Sequence, residues 1–121
     1  MINYGKQYID NKDIQAVTKV LKGDWLTQGP NIKKFENALK SKFKSKHCAV
    51  VSNGTAALHL TGLALGWKKG DTVLTTPISF LATANCILYC GATPDFVDIE
   101  SSSYNIDVQK LEKKIKILNK N

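Results

Sequence analysis

Apolar residues in the first forty positions recur every three or four places. Ile14, Val17 and Leu21 make one stripe; Asp10 and Asp13 stand where a helix N-cap and first turn would be. Gly23-Asp24 ends that helix and leaves Trp25-Leu26-Thr27-Gln28-Gly29 as an irregular connector. Pro30 suits the first turn of a second helix, whose stripe is Ile32, Phe35, Leu39 and Phe43. The period then changes, and one pattern repeats three times. A strand over His47–Ser52 leads to a helix over Thr55–Leu65, stopped at Gly66. A strand over Thr72–Thr76 passes Pro77 into a helix over Phe80–Tyr89, with Ser79 as cap and Gly91 as stop. A strand over Asp95–Ile99 runs through a polar loop to a helix capped by Asp107, with Val108, Leu111, Ile115 and Leu118 on one face. Such alternation predicts an α/β chain, a βαβαβ core preceded by two helices, with a mostly parallel sheet. A further strand normally follows the last helix, so the sequence reads as the N-terminal part of a longer polypeptide.

Composition narrows the setting. Of the 121 residues, 43% are hydrophobic and 22% charged, the balance of a soluble globular protein. No run approaches the roughly 18–20 apolar residues that span a bilayer, and the first residues lack the apolar centre of a signal peptide. A cytoplasmic location, with no membrane partner, is expected. The three cysteines fit small buried hydrophobes better than a disulfide framework. His47 and His59 have no ligand spacing to them, so no metal is expected. The net charge of +7 suggests nucleic acid, but all 17 basic residues are lysine. Without arginine the bidentate contacts of sequence-specific recognition are missing. A general attraction to anionic ligands remains.

Candidate chemistry centres on Ser52-Asn53-Gly54-Thr55-Ala56-Ala57-Leu58, after the apolar Ala49-Val50-Val51. A strand, a tight turn and a helix start would converge free N–H groups and the positive end of a helix dipole on one point. Small residues would let a phosphate approach, and Thr55 would add a hydroxyl donor. The same run also fits an ordinary βα turn with a Ser or Thr cap. It matches neither of the usual glycine-rich nucleotide fingerprints. His47 and His59 read as structural or exposed, Lys68 and Lys69 as solvated turn residues. Asp98 and Glu100 have no nucleophile to serve.

Four stretches in register resemble one family: Asp24-Trp25-Leu26-Thr27-Gln28-Gly29-Pro30 with Phe35-Glu36; Ser52 to Leu58; Thr76-Pro77-Ile78-Ser79-Phe80-Leu81-Ala82-Thr83-Ala84-Asn85; and Gly91-Ala92-Thr93-Pro94-Asp95-Phe96-Val97-Asp98-Ile99. Together they are similar to the opening third of a DegT/StrS-type sugar-nucleotide aminotransferase. The resemblance implies the start of a fold-type-I large domain, truncated, with residues 1–44 as helical arm and substrate loop and 45–121 as the beginning of the cofactor-binding domain. It implies pyridoxal 5'-phosphate as cofactor, with Thr55 and Ala56 at its phosphate and Phe80 stacked on its ring. Periodicity alone would put Phe80 in the core. It also implies Tyr4, Asp24, Trp25, Leu26, Thr27 and Gly54 around a sugar nucleotide. Within the family, Tyr4-Gly5, Leu26 to Gly29 and Thr76 to Phe80 are most similar to the branch serving pseudaminic acid synthesis. That implies a UDP-linked 4-keto-6-deoxy amino sugar as substrate, glutamate as donor and a homodimer. No lysine here sits in a motif resembling the family's Schiff-base site, and the acid that meets the pyridine nitrogen is also absent. No catalytic residue is therefore assigned, and the chain alone is expected to be inactive. The alternative is a non-catalytic nucleotide- or phosphate-binding α/β module.

Overall fold

The computed structural model describes residues 5–119. The chain forms two compact units, 1–50 and 51–121.

In the first unit, α1 (Asn11–Leu21) begins where its cap predicts. The Asp10 carboxylate accepts the Lys12 and Asp13 amides at 2.8 and 3.1 Å, and Asp13 accepts the Asp10 amide at 3.0 Å. This reciprocal box satisfies donors that a helix start otherwise leaves unpaired. Helix α2 (Pro30–Phe43) has proline in its first turn and ends at Lys44, which adopts φ 52. Glu36 accepts the Val50 amide at 3.4 Å. The stripe residues Ile14, Val17, Leu21, Ile32, Phe35 and Phe43 are amphipathically placed but exposed.

The second unit runs α3 (Gly54–Ala64), β1 (Thr72–Thr75), α4 (Ala82–Tyr89), β2 (Thr93–Phe96), α5 (Val108–Leu118). Strands β1 and β2 pair in parallel, Thr72 opposite Thr93 and Thr75 opposite Phe96, with α4 as the crossover. The ladder continues through the Thr93 amide to the Asp71 carbonyl and the Val97 amide to the Thr75 carbonyl, both 2.9 Å. The small core gathers on α4 and β2. Ala82, Cys86, Ile87, Ala92 and Val97 are buried, Ile87 to 1% exposure, and Trp67 and Val73 pack on the cluster of Cys86, Ile87 and Ala92. Gly66 and Gly91 stand just past helix ends at φ +79 and +80, a conformation costly for any residue with a β-carbon.

Five elements differ from the sequence expectation, the least of them β1, which ends at Thr75 instead of Thr76. His47–Ser52 forms no strand. A strand needs a neighbour for its N–H and C=O groups, and no described segment pairs with this one; the Val50 amide turns to Glu36 instead. The third strand is Thr93–Phe96, not Asp95–Ile99. The Ile99 amide is taken by the Asp98 carboxylate at 2.9 Å, and Ile99 makes only an isolated antiparallel bridge with Ile106. Helix α4 starts at Ala82 rather than Phe80, because Ser79 pairs with the Thr83 hydroxyl and caps no amide. The helix over Thr55–Leu65 is found one residue earlier at each end. Among the described residues, no helix is long and apolar enough to cross a membrane.

Candidate functional site

Helix α3 opens at Gly54 because Asn53, in extended backbone, caps it. Asn53 Oδ1 accepts the Ala56 amide at 2.8 Å, and the Asn53 carbonyl accepts the Ala57 amide at 3.1 Å. Asn53 Nδ2 in turn donates to the Ser52 hydroxyl at 3.2 Å. Of the two amides the sequence reading offers to a phosphate, that of Ala56 is thus engaged. Those of Gly54 and Thr55, with the Thr55 hydroxyl, have no partner among the described residues. A β-carbon placed on Gly54 would meet nothing within 4 Å, so a ligand can approach the main chain there.

These groups border a groove of about 460 Å³, walled by Gly54, Thr55, Leu58 and Thr61 from α3 and by Phe80 and Ala82. Phe80 is 77% exposed, which removes it from the core that periodicity suggested. It also borders a smaller cavity of about 130 Å³ with Thr76, Ser79, Thr83 and Phe96. An anion-accepting turn and a bare aromatic ring therefore share one concavity. That combination suits a flat aromatic ligand carrying a phosphate.

In the first unit, Asp24 and Trp25 line a groove of about 430 Å³ with Lys19, Gly23, Asn31 and Lys34. The connector is tightly turned: Gln28 adopts φ 50, and a β-carbon on Gly29 would lie 2.8 Å from that of Trp25. Trp25 is 64% exposed; Leu26 and Thr27 are exposed beyond it and do not line the groove. Tyr4 lies outside the described residues.

The remaining titratable groups divide between those with structural partners and those that are simply exposed. His59 meets the Tyr89 ring edge-on at 5.5 Å between centroids, and His47 is exposed. Lys68 and Lys69 are exposed. Asp98 is bound by Lys110 at 2.9 Å, and that hydrogen bond holds its carboxyl below the usual carboxylate range. Glu100 accepts the Ser103 hydroxyl at 2.7 Å. Cys48, Cys86 and Cys90 are free thiols; burial, then neighbouring Cys90, pushes Cys86 up. No metal-holding cluster is found among the described residues. Sequence reasoning missed Asn53 as the cap, although asparagine ranks with the best N-cap residues. It also missed Leu58 and Thr61, which helical spacing from Thr55 brings to the same groove.

Residues 7–120 match the DegT/DnrJ/EryC1/StrS aminotransferase family. The UDP-4-amino-4,6-dideoxy-N-acetyl-beta-L-altrosamine transaminase of Campylobacter jejuni is 47% identical over 115 residues, covering 95% of this chain and 30% of the relative. The spore coat polysaccharide biosynthesis protein SpsC of Bacillus subtilis is 42% identical, over 90% of this chain and 28% of its own. A Streptococcus pneumoniae protein assigned as a sugar aminotransferase superposes in its PLP form with TM-score 0.86 at 29% identity, over 93% of this chain and 29% of that one. The Escherichia coli GDP-4-keto-6-deoxy-D-mannose-3-dehydratase with bound hydrated PLP superposes with TM-score 0.83 at 30% identity, over 93% of this chain and 31% of that one. The chain thus spans about 30% of the length of the curated relatives it matches.

Proposed function

This chain belongs to the DegT/DnrJ/EryC1/StrS aminotransferase family, and on that footing we propose that it carries the pyridoxal phosphate anchor of a sugar-nucleotide aminotransferase. The observation that carries this reading is the shared groove of Gly54, Thr55 and Phe80. Thr55 offers its hydroxyl and amide to the phosphate, at the positive end of α3. Gly54 leaves the approach open. Ala56 keeps the turn small while its amide is held by Asn53. Phe80 lies against the ring and excludes water from it. Bound there, pyridoxal phosphate supplies the electron sink through which amino-group transfer proceeds.

Substrate handling is assigned to Asp24, Trp25, Leu26 and Thr27 on the connector, to Tyr4, and to Gly54 beside the turn. An exposed tryptophan in a groove with two lysines and a carboxylate suits a uracil ring, a diphosphate and sugar hydroxyls. The name of the Campylobacter jejuni transaminase supports a UDP-linked 4-amino-4,6-dideoxy sugar as product; we propose the matching 4-keto-6-deoxy amino sugar as substrate, in pseudaminic acid or related surface-glycan synthesis, with glutamate as donor. That relative also favours amination over the dehydration named for the Escherichia coli neighbour. The working enzyme is read as a cytoplasmic homodimer. The 121-residue chain does not turn over by itself, because none of its lysines stands in a Schiff-base motif.

Titration with pyridoxamine 5'-phosphate tests the anchor, since its amine cannot form imines with the chain's lysines. Binding stronger than that of phosphate-free pyridoxamine, and weakened by Thr55→Ala and Phe80→Ala, is the expected result. Equal binding of the two compounds refutes the anchor. Borohydride trapping with pyridoxal phosphate should label no single lysine stoichiometrically.

A further inference from the structure

Phe80 is an exposed member of the groove, and it precedes α4 instead of belonging to it. A ring outside a helix and 77% exposed is free to swing unless something fixes its backbone. Helix α4 does little of that through its cap. Leu81 at the N-cap has helical backbone and makes no side-chain hydrogen bond to the first turn. The ties come from one residue further on. Thr83 Oγ1 lies 2.7 Å from Ser79 Oγ, and the Thr83 amide donates to the Phe80 carbonyl at 2.9 Å. Thr83 thus bonds to the residue before the ring and to the ring's own residue. The Thr76 hydroxyl donates to the Ile78 carbonyl at 3.3 Å and steadies the approach to this clasp. Thr83 is itself set on the core: its carbonyl accepts the thiol of Cys86, a buried residue one turn along α4.

We infer that Thr83, through its hydroxyl contact with Ser79, is a positioning residue that holds Phe80 in the groove as a ready-made aromatic wall. The inference rests on the assignment of Phe80 to the cofactor ring. An exposed wall that is already in place lowers the ordering cost of binding, because affinity falls with the fraction of molecules in the competent arrangement. The hydroxyl pair achieves this without touching the ligand. Valine at position 83 keeps the shape and the main-chain bond but removes the clasp. Serine keeps the clasp.

Two measurements on the 121-residue chain decide the matter. The first is affinity for pyridoxamine 5'-phosphate and for pyridoxamine in wild type, Thr83→Val, Thr83→Ser, Ser79→Ala and the Thr83→Val/Ser79→Ala double variant. The second is the backbone order parameter of the Phe80 amide by nuclear magnetic resonance. Thr83→Val and Ser79→Ala should each weaken both ligands by the same factor, about three- to tenfold, the scale of one lost hydrogen bond. The double variant should be no worse than either single one, and Thr83→Ser should bind as wild type. The Phe80 order parameter should fall in the valine and alanine variants and recover with serine. Should Thr83→Val fail to fold, Ser79→Ala, outside the helices and exposed, carries the same comparison. If Phe80→Ala weakens binding while Thr83→Val and Ser79→Ala do not, the clasp is refuted and the cofactor reading stands. If Phe80→Ala leaves affinity unchanged, the cofactor reading fails, and the order parameters still decide whether Thr83 fixes Phe80.

Discussion

Gly62 on α3 lies against Cys90 at the end of α4, with 2.8 Å between the Cys90 sulfur and the point where a β-carbon on residue 62 would stand. The ring of Trp67 is closer still, at 2.6 Å. Hydrogen would be displaced here by a methyl group with nowhere to go. Alanine ordinarily gains about 1 kcal/mol over glycine inside a helix. Overpacking of about 1–3 kcal/mol opposes that gain. Gly62→Ala is therefore expected to lower the urea midpoint, and the companion Cys90→Ala should restore part of the loss. A midpoint at or above wild type would show that α3 and α4 have room to separate.

Asn53 gives a sharper test of the anion-accepting turn. Asn53→Ala removes the cap and should cost about 1 kcal/mol of stability. Asn53→Asp keeps the cap and adds a negative charge at a helix start, which favours folding. The same charge repels a phosphate beside Gly54 and Thr55. The aspartate variant should thus unfold no earlier than wild type, yet bind pyridoxamine 5'-phosphate at least about fivefold more weakly, with a deficit that shrinks in high salt. Unchanged affinity in that variant places the phosphate elsewhere.

Acid stability should respond to Asp95. Lys114 on α5 approaches its carboxylate within 2.7 Å and ties that helix to β2. The Lys114 hydrogen bond, then the Phe96 amide, lowers the Asp95 carboxyl from its ordinary value. A carboxyl lowered by folding contributes stability that is complete above its unfolded value of about 3.9 and vanishes as pH falls through the folded one. Asp95→Asn should remove that contribution, about 0.5–1 kcal/mol at neutral pH for a partly exposed pair. Unfolding curves of the variant and the wild type should converge at the acid end. Parallel curves down to the lowest pH would contradict the pairing.

A tryptophan lines the groove of the first unit and none lines that of the second, so emission can report on the first-unit groove. Trp25 is exposed in the first unit, whereas Trp67 is half-buried beside Gly62. Uridine diphosphate should quench emission from Trp25, and Trp25→Phe should abolish the quench. Quenching that survives this substitution assigns the nucleotide to another surface.

Legibility in the sequence followed the range of the interactions. Caps and stops were readable because they are decided within four residues. Asp10 with Asp13, Pro30, Asp107, Gly66 and Gly91 all act where their residue types predict. His47–Ser52 was misread because β-branched and apolar residues make a segment fit for a sheet without providing its neighbour. Ser79 was misread for a related reason. A serine before a helix can bond to an amide or to another side chain, and only three-dimensional placement chose the Thr83 hydroxyl. The groove lay between these extremes. The family resemblance brought Thr55 and Phe80 together in one hypothesis, but the exposure of Phe80 and the engagement of the Ala56 amide needed coordinates.

The β1–α4–β2 crossover has a consequence for how the polypeptide acquires shape. Its interior, from Trp67 and Val73 to Ala92 and Val97, is drawn from one short stretch of neighbouring sequence. Closing such short loops costs little entropy, and chains dominated by near-neighbour contacts condense quickly. During synthesis this stretch can therefore settle as soon as it clears the ribosome.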